Sequence, residues 1–156
     1  DELVAIEAVV GMNPPHLLPI GEVLARLPVE PLLGRAALLG ALLGELELTA
    51  ALLVVAGGRS PFSNNRDEAV ASQLEFCKWS DTFAAARALL AFEAKAAERG
   101  EGAAASWAKE RNMSASALAM LSRSRVQLLR EMRRAGLSRA SPPVAAASWR
   151  QDAVGA

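Results

Sequence analysis

Few side chains in this sequence can do chemistry, and those few stand apart. The single histidine, His16, follows a Pro-Pro pair, and the single cysteine, Cys77, has no partner for a disulfide. One His and one Cys cannot build a nitrogen-sulfur metal site of ordinary spacing. A Ser-His-Asp arrangement would have to use His16, and no other residue supports it. Glu45 and Glu47 stand two apart, so on a helix they point in different directions and do not act as a carboxylate pair. Gly57-Gly58 is not a phosphate-cradling loop, and neither G-x-x-x-x-G-K-[ST] nor G-x-G-x-x-G occurs. On these residues alone the chain is not an enzyme by itself; His16 reads as a turn or surface residue and Cys77 as packing.

Binding is what remains. Arg111 and Asn112 lie just before a helix start, with Ser114 in the "NMS" that opens it. Residues of these types at a helix N-terminus suit a backbone phosphate or a base edge, because the first turn presents free N–H groups. They are also residues that cap and solvate helices. Ser80 and Asp81, in "WSD", open the preceding helix in the same way.

The last long helix is the most informative. At about 100° per residue, with Arg123 at 0°, Gln127 falls at about 40°, Arg130 at about 340° and Arg134 at about 20°. Leu121, Leu128 and Met132 fall at about 140–180°, with Leu118 and Leu129 at about 220–240°. One face is basic and the opposite one apolar. Arg125 breaks the pattern at about 200°, inside the apolar stripe, where it needs an acceptor or an exit to a groove.

The elements that must position these residues are helices. Apolar residues make up 52% of the 156, much of it Ala and Leu, while aromatics are 4% and Tyr is absent. That composition favours helix over strand, and the fold class expected is all-α. Residues 2–10 read as a short helix stopped near Gly11, followed by an "NPP" turn. Residues 19–27 read as an amphipathic helix with Ile20, Val23, Leu24 and Leu27 on one side, ended by Pro28. Pro31 suits the first turn of the next helix, expected over 32–43. A second apolar helix is expected over 48–56, stopped by Gly57-Gly58. "RSPFSNN" reads as a loop, 67–77 as a helix, and 80–99 as a clear helix with Ser80 or Asp81 as cap and Gly100 in a left-handed position after its end. "EGAAAS" reads as a loop or frayed turn. Ser114 or Ser116 caps the last helix, which runs to Ala135; Gly136 stops it and Leu137 folds back on it. Residues 138–156 look like a linker.

Charge is uneven. Residues 1–50 carry seven acids and two bases, hence −5, and residues 107–156 carry nine bases and three acids, hence +6. The asymmetry suggests an anionic partner for the C-terminal part, although helix surfaces need charges in any case. Residues 36–56 are apolar enough to raise a membrane question, but Glu45 and Glu47 would each cost about 2.5–3.5 kcal/mol on insertion. A helix pair broken at "GELE" is the better reading. The N-terminus has neither a basic leader nor a cleavage-type signal. Without an initiator Met, the chain is expected to be a piece of something longer.

Several of these phrases occur together in one family. "LLPIGEVLARLPVEPLLGR" resembles the "LTPLG..LA.LPVDPRLGK" stretch that follows the second RecA-like domain in DEAH/RHA-type ATP-dependent RNA helicases. "LLGALLGELELTAALLVVAGGRSPF" is similar to the family's "lG…C.d..LtiaA.ls…(S/D)PF", and "NRDEAVASQLEF" to its "KR.EA". "WSDTFAAARALLAFEA" is similar to "SDH…L.AY..W", and "KERNMSASALAMLSRSRVQLLREMRRAGL" to "C.eNFLs…L..i..lR.QL...L...G(F/L)". The resemblance covers about residues 2–137. Thr82 stands where the family has His, the Trp after the "AY" block has no counterpart, and the Cys before "NFLS" is missing near Ala108, so the chain resembles a divergent member.

The resemblance implies a partial winged helix over 1–31, a helical ratchet domain over 32–137, and a linker over 138–156 toward an oligonucleotide-binding fold. It implies single-stranded RNA as partner, with Ser80, Asp81, Arg111, Asn112, Ser114, Arg123, Arg125, Gln127, Arg130 and Arg134 as candidate contacts. ATP and Mg would belong to RecA-like motor domains of the same parent chain, which hydrolyse the nucleotide and pull the strand. A protein activator or ribonucleoprotein partner would fit, a membrane would not, and the parent would work inside the cell. The apolar phrases of 17–56 would then be scaffold. Two alternatives stay open: a degenerate relative serving as a scaffold in a ribonucleoprotein particle with no motor activity, and a helical adaptor whose Ala/Leu surfaces bind protein.

Overall fold

The computed structural model describes residues 2–5, 7–10 and 15–137. Among them the chain forms eight helices and one two-stranded ribbon, so the all-α expectation holds at the level of class. The helices are α1 (Glu2–Ala5), α2 (Pro19–Leu24), α3 (Pro31–Leu42), α4 (Leu46–Gly57), α5 (Arg66–Phe76), α6 (Asp81–Arg99), α7 (Glu101–Glu110) and α8 (Ala115–Arg134). The ribbon pairs β1 (Val9–Val10) with β2 (His16–Leu17). No helix among the described residues is long and apolar enough to cross a membrane. The chain divides into two compact units, one of residues up to 50 with 127–137 and one of residues 51–126; the divisions fall inside α4 and α8.

In the first unit, the single helix expected over 2–10 is corrected. Helix α1 lasts one turn, Glu7 adopts a positive φ of 58°, and Val9 and Val10 pair antiparallel with Leu17 and His16. Adjacent β-branched valines favour the extended form once a partner strand lies alongside. His16 is exposed in that strand. The "NPP" turn falls partly on 11–14 and, like the 138–156 linker, lies outside the described residues.

Pro19 and Pro31 each start a helix at the first position, where the missing N–H does no harm. Helix α2 ends earlier than expected, at Leu24, and turns lead on to buried Leu27. Ile20 is exposed rather than buried with Leu24 and Leu27. Helix α3 ends at Gly44 with φ 80°; the Gly44 amide donates to Ala41 and the Glu45 amide to Gly40. That Schellman pattern breaks the apolar run at "GELE". Helix α8 ends in the same way: Gly136 has φ 89°, its amide donates to Arg133, and the Leu137 amide donates to Met132. Leu137 is buried, as expected of a residue that folds back. Gly40 on α3 faces Thr49 on α4, and a Cβ at Gly40 would collide with the Thr49 side chain.

In the second unit, small residues set the packing. Ala84, Ala85, Ala86, Ala88 and Leu89 of α6 are buried with Ala104 and Ala108 of α7 and with Leu118 and Leu121 of α8. Alanine gives good helix propensity at minimal width, so helices can approach closely. The "EGAAAS" expectation is corrected here, since these residues belong to α7. Only Gly100, with φ 85°, separates α6 from α7. Three successive alanines with an acid in the first turn favour helix once the chain has changed direction there. Helix α5 begins with Asn65, whose side chain accepts from the Asp67 amide and donates to Glu68 at 3.4 Å, while its own amide donates to the Ser63 hydroxyl.

Candidate nucleic-acid interface

The segment after α4 and the start of α8 are tied together within the second unit. Phe62 forms a β-bridge with Met113, and the Ser114 amide donates to the Pro61 carbonyl at 2.8 Å. Pro61, Phe62 and Met113 are all buried, so these backbone groups need each other. The Ser114 hydroxyl accepts from the Ala117 amide at 3.2 Å and lies 3.1 Å from the Ser116 hydroxyl, capping α8. Of the two caps expected, Ser114 is the one used.

An open groove of about 590 Å³ lies along this junction. One wall is Arg59, Ser60, Phe62, Ser63 and Asn64; the other is Ser114 followed by Ser116, Ala117, Met120 and Arg123 of α8. Ser116, Met120 and Arg123 recur at helical spacing, which puts them on one face. The lining has two guanidinium groups, five Ser or Asn side chains and no carboxylate. Arg59, Ser60, Asn64, Ser114, Ser116, Met120 and Arg123 are exposed, whereas Phe62 is a buried floor.

The structure brings Ser114 and Arg123, of the ten candidates, into this groove. Arg125 is placed elsewhere: it is only 8% exposed, and its Nη1 lies 3.0 Å from Glu93 Oε2 on α6. The acceptor that an arginine in the apolar stripe requires is therefore Glu93, and Arg125 is not at the surface. Arg111 is also occupied. Its guanidinium lies 5.0 Å from the Trp107 ring centroid, its Nε is 3.2 Å from Glu75, and its carbonyl accepts from the buried Ser72 hydroxyl at 2.6 Å. Asn112 is exposed with φ 53°, a left-handed turn residue between α7 and α8. Ser80 caps α6 by accepting from the Phe83 amide, and Asp81 is exposed in the first turn. Gln127, Arg130 and Arg134 belong to the other unit and are exposed; Arg134 bonds Glu131 at 2.8 Å.

Sequence reasoning missed Arg59, Ser60, Ser63, Asn64, Ser116 and Met120 as site residues. "RSPFSNN" reads as a loop, and nothing local tells which distant segment that loop meets. Among the described residues no group of three or more His, Cys, Asp and Glu could hold a metal ion. The chain matches no protein-family model and no curated protein.

Proposed function

We propose that this chain is the accessory region of a DEAH/RHA-type ATP-dependent RNA helicase. In this reading residues 1–31 are the end of a winged helix and 32–137 a ratchet domain that touches single-stranded RNA. ATP hydrolysis, with its Mg, belongs to separate RecA-like domains. The observation that supports it is the carboxylate-free groove carrying Arg59 and Arg123. Cationic grooves that track a backbone are the physical basis of single-strand binding. The exposed Arg130 and Gln127 farther along α8 agree with an anionic partner.

Fluorescence anisotropy of the chain with a short single-stranded RNA, at low and moderate salt, tests this reading. Binding that weakens with salt and is lost in Arg123→Glu/Arg130→Glu supports it. A folded chain that binds no RNA at low salt counts against it.

One observation favours a protein-binding scaffold instead. Leu32, Leu39, Leu42 and Leu43 of the α3 region are each more than half exposed. Leucines concentrated on one short helix in this way mark interaction surfaces more often than bare solvent faces.

A further inference from the structure

We propose that Arg59 and Arg123 clamp a single backbone phosphate of an RNA strand in the groove and leave its bases outside. The proposal rests on the RNA-binding reading and specifies which part of the strand is held. Three other arginines of the second unit have internal partners: Arg87 donates to the Phe76 carbonyl, Arg111 pairs with Glu75, and Arg125 pairs with Glu93. Arg59 and Arg123 have no ion-pair or hydrogen-bond partner among the described residues, and they reach one groove from two segments.

Their placement on two walls suits a tetrahedral anion. Guanidinium groups bind carboxylates and phosphates alike, often bidentately. A phosphodiester is tetrahedral, so its two unesterified oxygens can meet cations arriving from different walls. Ser60, Asn64 and Ser116 are exposed donors beside the arginines, suited to phosphate oxygens and ribose hydroxyls. Bases held by single-strand binders usually stack on aromatic faces. Phe62 is the aromatic residue of the lining, and it is 6% exposed and held in the bridge to Met113. Met120 offers a flexible thioether and no ring. What the groove can hold is backbone, and its contact is blind to sequence.

The test uses the 156-residue chain with fluorescein-labelled oligo-U and oligo-A of roughly 12 nucleotides, within the usual span of single-strand sites. Anisotropy titrations at several salt concentrations compare wild type, Arg59→Ala, Arg123→Ala, the double variant and Arg59→Lys. Both arginines are exposed and unpaired, so thermal unfolding should match wild type in every variant. The clamp predicts equal affinity for the two oligomers within about twofold. Each alanine variant loses about 5- to 10-fold in affinity, and the salt slope falls by about 0.7 in the double variant, where the one phosphate is freed. The double variant loses less than the product of the singles, because one phosphate is shared. Arg59→Lys keeps the slope while losing affinity. RNA binding that neither alanine variant changes overturns the clamp and leaves the RNA reading standing. So does a preference above about tenfold between the oligomers, since base contacts carry discrimination of that order. Poly-glutamate competing as well as RNA assigns the groove to carboxylates and overturns the clamp. No RNA binding at low salt by the folded chain overturns both.

Discussion

Arg125 Nη1 lies 3.0 Å from Glu93 Oε2, inside the second unit and between α8 and α6. A lone buried arginine on an apolar stripe is costly, and a lone carboxylate beside it equally so, yet paired they offset part of each other's desolvation. Removing one partner, as in Arg125→Leu or Glu93→Leu, should cost roughly 3–5 kcal/mol. The double Arg125→Met/Glu93→Leu should recover most of that loss. Denaturant midpoints for the four proteins measure the coupling, and equal losses in single and double variants would show that the pair is not the cause.

Gly40 and Thr49 make a second close approach, in the first unit. Gly40→Ala should destabilise by about 1–3 kcal/mol through overpacking, despite the better helix propensity of Ala. Adding Thr49→Ala should return part of this, because the collision is with the Thr49 side chain. A thermal melt of Gly40→Ala at or above wild type would refute the contact.

Gly136 and Gly102 should respond to the same substitution with opposite signs. Gly136 has φ 89° at the end of α8, so Gly136→Ala should cost about 1–2 kcal/mol. Gly102 lies within α7, and a Cβ there would meet open space. Gly102→Ala should therefore stabilise by about 0.5–1 kcal/mol. Chemical denaturation of the two variants side by side decides this.

Arg111 should prove a structural residue. Its guanidinium contacts Trp107 and Glu75, and Arg111 is not among the residues that line the groove. Arg111→Lys keeps the charge and loses the planar stacking. The expected result is a lower melting temperature with RNA affinity and salt slope within about twofold of wild type, since no phosphate contact is removed. A slope reduced by about 0.7 with an unchanged melt would return Arg111 to the interface.

What was legible in the sequence is what local physics decides. The stop at Gly44, the cap at Ser80, the proline at the head of α3 and the fold-back at Leu137 all rest on neighbours a few residues apart. The faces of α8 follow from its own period, with Leu118, Leu121, Leu128, Leu129 and Met132 buried and Arg123 and Arg130 exposed. Besides the early end of α2 and the exposure of Ile20, two elements differ because context overrode propensity. Val9 and Val10 became strand because His16 and Leu17 pair with them, and "EGAAAS" became helix because Gly100 turns the chain and its alanines then pack against α6. Of the groove, the α8 wall could be read in part, through Ser114 and Arg123. The other wall could not, because its place depends on Phe62 meeting Met113.

The bond from the Ser114 amide to the Pro61 carbonyl joins residues some fifty positions apart, with α5, α6 and α7 between them. Closing so long a loop has an entropic cost that the packing of the intervening helices offsets. The groove therefore depends on the three middle helices for the meeting of its two walls. A chain with that region misassembled would carry every charged residue of the site and still present no site. The exchange rate of one amide proton, that of Ser114, therefore reports on whether the two walls of the groove are joined.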